Sequence, residues 1–185
     1  MQKMQKSNRL IYTSITTALV IVLDQITKLI VSGNMEVGES FGLIPYIINI
    51  HFVRNKGAAF GMLADQRWIF MTFSVIALGI MFYVLKKTNI RSHLFYISMA
   101  FIIGGGIGNM IDRTIYGSVI DFMEFDFVSF AIFNVADAFL TAGVIMMAVY
   151  LLFIEKKDKQ KSEKDAEGQP EQEKTTDENG GTDET

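Results

Sequence analysis

"FNVADAFLTAGVIMMAVYLLFI", residues Phe133 to Ile154, decides the fold. Apart from Asn134, Asp137 and Thr141 it is small or apolar throughout. With Ala131 and Ile132 it is long enough for a helix that crosses a hydrocarbon core roughly 30 Å thick, which takes about 20 residues. Three further stretches match it: Leu10 to Val31, Trp68 to Leu85 and Leu94 to Ile111. A membrane protein built on four transmembrane helices is therefore expected.

Composition agrees. Half of the 185 residues are hydrophobic, with 15 Phe, 11 Met and only two Pro, which is not the balance of a soluble enzyme. The net charge of −3 conceals an uneven split. Residues 155–185 hold eleven Asp and Glu against six Lys, leaving eleven Lys and Arg against nine Asp and Glu on residues 1–154. Two parts are expected: a four-span body over 1–154 and a disordered acidic tail over 155–185, too polar to bury a core. Cysteine is absent, which removes disulfides, thiolate metal sites and a Cys nucleophile together. The two histidines, His51 and His93, lie in no HExxH pattern, so zinc hydrolysis is not indicated.

The first span follows Lys3, Lys6 and Arg9 as a secretory signal would. It runs longer than a signal's apolar region, and Asp24 and Lys28 stand where a cleavage site would need small residues, so it reads as a retained anchor. Basic clusters then set the orientation: Lys3, Lys6 and Arg9; Lys86, Lys87 and Arg91; Lys156, Lys157, Lys159 and Lys161. All three share one side after four crossings, which predicts cytoplasmic termini. Outside lie Ser32 to Arg67 and a loop from Asp112 to Phe130. In the former, "IINIHFVRN" alternates Ile48, Ile50 and Phe52 against Asn49, His51 and Val53, a strand pattern that predicts a small extracytoplasmic sheet.

Asp24, Asn109, Asp112, Arg113, Asp121, Asn134 and Asp137 all fall toward the external ends of the spans or in the second external loop. Ionisable groups at membrane depth are expensive, so their gathering at one end predicts a functional site there. Spacing predicts local pairs: Asp24 with Lys28 and Asn109 with Arg113, four apart, and Asn134 beside Asp137, three apart. The Asp24–Lys28 pair reads equally as a structural ion pair or as part of the site. "GGGIGN", Gly104 to Asn109, lacks the strand and the Lys of a phosphate loop; Gly104 and Gly108 read as helix-packing positions. His51 reads as an ordinary loop or strand residue, and Glu124 and Asp126 as solvated loop charges. Asp121, in "SVIDF", and Asp137 are the two carboxylates at the external face. Brought together they would share one proton and supply a base and an acid, the equipment for adding water across a peptide bond.

"DQITK" (24–28), "RNKGAAFG" (54–61), "GGGIGNMIDR" (104–113), "VIDF" (119–122) and "FNVAD" (133–137) resemble, in order and spacing, the motif blocks of the bacterial lipoprotein signal peptidase family, signal peptidase II. The resemblance covers about Leu10 to Ile154; Gly61 stands where Ser is expected as often. It implies an intramembrane aspartic endopeptidase of the cytoplasmic membrane that cuts prolipoproteins just before a diacylglyceryl-modified cysteine, with membrane lipid around it, no nucleic acid, and neither metal nor organic cofactor. It implies a catalytic pair in Asp121 and Asp137. Asn55, Asn109, Arg113 and Asn134 would line the site, Asp24, Lys28 and Asp112 would support it, and Gly57, Ala58 and Ala59 would belong to an external cradle. Two other classes compete with this reading: a proton-linked membrane transporter relaying protons through Asp24, Asp121 and Asp137, and a non-catalytic assembly factor packing through Gly104 and Gly108.

Overall fold

The computed structural model describes residues 6–57, 67–88 and 90–156. Ala58 and Ala59 of the expected cradle, Gly61, Lys3, and the tail from Lys157 onward lie outside the described residues. Among the described residues four helices are long and apolar enough to cross a membrane. They are α1 (Lys6–Asn34), α2 (Arg67–Lys87), α3 (His93–Tyr116) and α4 (Val135–Val149), which continues as a π-helical turn over Tyr150–Ile154. A three-stranded antiparallel sheet accompanies them: β1 (Ser40–Ile44), β2 (Ile48–Asn55) and β3 (Val119–Phe125), in that order.

The central helix is α3. Most of its apolar window is buried, whereas α1, α2 and α4 turn most of theirs outward, as lipid-facing helices do. It packs chiefly on α4 and α1. Glycine makes that packing close. A Cβ on Gly104 would lie 2.8 Å from Val20 of α1, and one on Gly105 would lie 2.4 Å from the Ala136 carbonyl of α4. Gly143 plays the same part from the α4 side, against Ile102 and Phe101. At the other end Leu78 and Leu85 of α2 join Phe95, Tyr96, Met99, Ile103 and Tyr150 in an apolar cluster.

The loop expected from Asp112 to Phe130 is mostly regular structure. The third helix runs on to Tyr116 and stops at Gly117, whose φ of 72° is the left-handed conformation that only glycine adopts without strain. "VIDFMEF" then pairs with β2, Asn55 opposite Val119 and Ile48 opposite Phe125. Its period of two sorts the side chains. Ile120 and Phe122 pack on Phe52 and Val31, and Val119, Asp121 and Phe125 face the opposite way. The fourth helix starts at Val135 rather than at Ala131, because Asn134 caps it and Phe133 is still bridged to Met123 of β3.

Candidate active site

Four elements bring their polar residues to one place. Asp121 comes from β3, Asn134 and Asp137 from the start of α4, Asn109 and Arg113 from α3, and Asn55 from the end of β2. Five of these six line a half-open cleft of about 530 Å³, with Phe125, Phe130 and Ile145 among its apolar walls; Asn134, expected to line it, is fully buried behind the two acids.

Asn134 organises the pair of carboxylates. As the N-cap of α4 it accepts a hydrogen bond from the Asp137 backbone N–H at 2.9 Å, while its own N–H donates to Asp137 Oδ2 at 3.2 Å. This reciprocal capping box fixes Asp137 in the first turn. The Asn134 side-chain amide meanwhile donates to Asp121 Oδ1 at 2.6 Å, to Asn109 Oδ1 at 3.0 Å and to the Ile120 carbonyl at 3.3 Å. One fully buried residue thus holds both acids. The remaining carboxylate oxygens are also engaged: Asn55 Nδ2 donates to Asp121 Oδ2 at 2.9 Å, and Asn109 Nδ2 to Asp137 Oδ1 at 2.7 Å. Asn55 in turn accepts from the Gly57 N–H at 2.9 Å, tying the buried Gly57 to the rim.

Beneath the cleft lies a buried ionic layer. Lys28 Nζ bonds Asp24 Oδ2 at 2.8 Å and Asp112 Oδ2 at 3.1 Å, and donates to Asn109 Oδ1 at 3.0 Å. Asp24 also accepts from the Ala136 N–H at 2.9 Å, and Asp112 from the Ile120 N–H at 3.0 Å. Each acid thereby fixes the backbone next to a cleft residue, and the cation orients Asn109. The predicted Asn109–Arg113 pair does not form. Asn109 turns inward to Lys28 and Asn134, whereas Arg113 spreads over the Phe70 ring of α2, 5.3 Å from its centroid, at the cleft wall.

Gln25 escaped the sequence reading although it stands inside the quoted "DQITK". Its amide donates to Asp24 at 3.1 Å, to Asp112 at 3.1 Å and to the Gly108 carbonyl at 3.3 Å. Its place three residues before Lys28, next to a buried acid, was the available signal. His51 joins Glu124 at 3.1 Å across the sheet and Asp126 accepts from Asn49, contacts made from the central strand β2 and away from the cleft.

Burial, and after it the charge of Asp137, pushes the Asp121 carboxyl from the ordinary 3.8 up to about 6, against the opposing effect of the Asn55 and Asn134 hydrogen bonds and of Lys28. A carboxyl so placed keeps a proton to within about a unit of neutrality, beside a second acid able to take one.

A bundle of membrane-length helices with two amide-held carboxylates in a cleft at one end defines a multi-pass membrane hydrolase of the aspartic kind. The family model described as Signal peptidase (SPase) II matches residues 16–153, and the chain belongs to that family, a family of proteases. It is 43% identical over 150 residues to the lipoprotein signal peptidase of Listeria monocytogenes serotype 4a (strain HCC23), covering 80% of this chain and 97% of that one. It is 41% identical over 144 residues to the lipoprotein signal peptidase of Streptococcus agalactiae serotype V (strain ATCC BAA-611 / 2603 V/R), covering 77% and 93%. Two solved structures, each described as a bacterial membrane enzyme studied by the in meso method, share the fold. One, at 2.3 Å resolution, superposes with a TM-score of 0.73 at 32% identity over 88% of this chain and 93% of its own. The other, at 1.9 Å, gives 0.72 at 34% identity over 77% and 94%.

Proposed function

We propose that this enzyme removes signal peptides from prolipoproteins at the extracytoplasmic face of the cytoplasmic membrane, cutting just before a cysteine that carries a diacylglyceryl group, with Asp121 and Asp137 as the catalytic pair. The single observation that carries this reading is the joint fixing of both carboxylates by Asn134 in a cleft open to substrate. Asp137 takes a proton from water as the oxygen attacks the scissile carbonyl carbon. Asp121, the acid whose pKa stands near 6, gives its proton to the departing nitrogen as the C–N bond breaks. The products are a new carboxylic acid and a new amine, and the pair resets by passing one proton back.

The surroundings support the same chemistry. A signal peptide must unwind to be cut, and its freed backbone groups need partners at membrane depth. Asn55 and Asn109 sit at the cleft with that capacity, Arg113 adds a cation at the wall, and Phe125, Phe130 and Ile145 offer an apolar surface to a lipid-bearing residue. Asp24, Lys28 and Asp112 act as support beneath, and Gly57 at the rim. The orientation follows from the basic residues Lys6, Arg9, Lys86, Lys87 and Arg91 at the opposite end, which puts both termini in the cytoplasm.

The test is incubation of the purified full-length protein with a diacylglyceryl-modified precursor and with the same precursor unlipidated. Cleavage of the first, before its modified cysteine, and not of the second is the expected result. Equal cleavage of both would make this a general membrane peptidase and contradict the proposal.

A further inference from the structure

At the end of the bundle remote from the carboxylates, a second groove of about 290 Å³ is lined by Arg9, Tyr12, Thr13 and Thr16 of α1 and by His93, Tyr96 and Ile97 of α3. The residues that form it are unlike the rest of the lipid-facing surface. Tyr96 is 4% exposed, yet its hydroxyl finds no hydrogen-bond partner among the described residues, and neither does the buried Nε–H of Arg9. Buried polar groups left unpaired are costly and uncommon, so two in one groove require an explanation. They are already held together: the Arg9 guanidinium lies over the Tyr96 ring, 5.5 Å from its centroid, and its Nη1 donates to the Ile90 carbonyl. Arg9 offers only donors and a phenol donates readily, so the missing partner is an acceptor.

Charge and position narrow the acceptor to one kind. Among the described residues no carboxylate lines the groove, and Lys6, Lys86, Lys87 and Arg91 belong to the same end of the bundle. Along α1 the residues beside it, Ile11, Tyr12, Ile15 and Leu19, are each at least half exposed on a surface that faces hydrocarbon. A small polar recess with two unpaired donors, opening onto an apolar helix face at the basic end of a membrane bundle, matches a phosphate headgroup whose acyl chains run along the helix. Its volume is at the lower edge of the range for ligand sites, about 300–1,000 Å³, which fits a headgroup rather than a whole lipid.

We propose that the α1–α3 groove binds an anionic phospholipid of the leaflet next to the N-terminus, its phosphate accepting hydrogen bonds from Arg9 Nε and the Tyr96 hydroxyl. The site is separate from the peptidase cleft and does not depend on what that cleft cleaves.

Native mass spectrometry of the full-length protein in neutral detergent tests this, with phosphatidylglycerol, diacylglycerol of the same chains and inorganic phosphate as separate probes. Phosphatidylglycerol should be retained about tenfold more tightly than diacylglycerol, the scale of one hydrogen bond to a charged group, and Tyr96→Phe and Arg9→Gln should each remove about that factor. Thermal melts keep the result independent of folding. In lipid-free detergent Tyr96→Phe should melt no lower than the parent, because it loses an unpaired hydroxyl, but should gain less from added phosphatidylglycerol. Equal retention of diacylglycerol, inorganic phosphate binding as tightly as the lipid, or undiminished lipid retention by both variants would overturn the proposal.

Discussion

Asn134 shows how much one side chain decides. It caps a helix, orients Asp137 through the capping box and holds Asp121 through its amide, so the geometry of the cleft and the start of α4 depend on the same residue. The titration of Asp121 has a measurable consequence. Its folded pKa of about 6 exceeds the ordinary 3.8, so the native state binds this proton more tightly than the unfolded chain. The stability it contributes is complete below about 3.8 and is lost as pH rises through about 6. The melting temperature of Asp121→Asn minus that of the parent should therefore climb between pH 4 and about 6 and then level; a flat difference would refute the assignment. Lys28 is a second case. Exposed by only 2%, it stands between Asp24 and Asp112, and Lys28→Met leaves two buried acids without their cation. A loss of about 3–5 kcal/mol is expected in thermal or denaturant unfolding, with Asp24→Asn plus Lys28→Met costing less than the sum of the single changes.

At the scale of elements, helix packing rests on glycine. A Cβ at Gly108 would stand 2.5 Å from Asp24 Oδ2 and 3.3 Å from Ala136 Cβ, whereas at Gly79, on the outer face of α2, nothing lies within 4 Å. Gly108→Ala should cost about 1–3 kcal/mol, the scale of overpacking, and Gly79→Ala should not destabilise; melts of the two side by side decide it. The four spans were legible because lipid demands long apolar runs, and the Asp24–Lys28 and Asn134–Asp137 pairs because helix spacing is fixed. β3 was less so. Its two acids, Asp121 and Glu124, stand three apart, so no period-two pattern marks the strand, though the strand's alternation of faces is what turns Asp121 to the cleft and Ile120 to the core. The start of α4 was displaced for a related reason: apolar content does not distinguish Phe133, bridged to the sheet, from Val135, within the helix. Asn109 went to Lys28 instead of Arg113 because a buried amide is claimed by the tertiary partners around it, which spacing along one helix cannot reveal.

At the scale of the molecule, the polar residues gather at one end, and below them α1, α3 and α4 close tightly around Gly104, Gly105 and Gly143. That arrangement does not favour a transporter, which needs a polar path across. The absence of native cysteine gives a clean test of orientation. Ser129→Cys, on the exposed loop after β3, should react in intact cells with a membrane-impermeant maleimide, and Lys87→Cys, at the end of α2, only after the cells are opened. The opposite pattern would invert the topology. The central claim is that Asp121 and Asp137 together perform the cleavage, and its most direct test is the rate of processing of a lipidated precursor by Asp121→Asn and Asp137→Asn, each first shown by melting to be folded. Both should fall by on the order of 10⁴-fold, the upper scale for losing a general acid or base. Near-normal processing by either one would contradict the account.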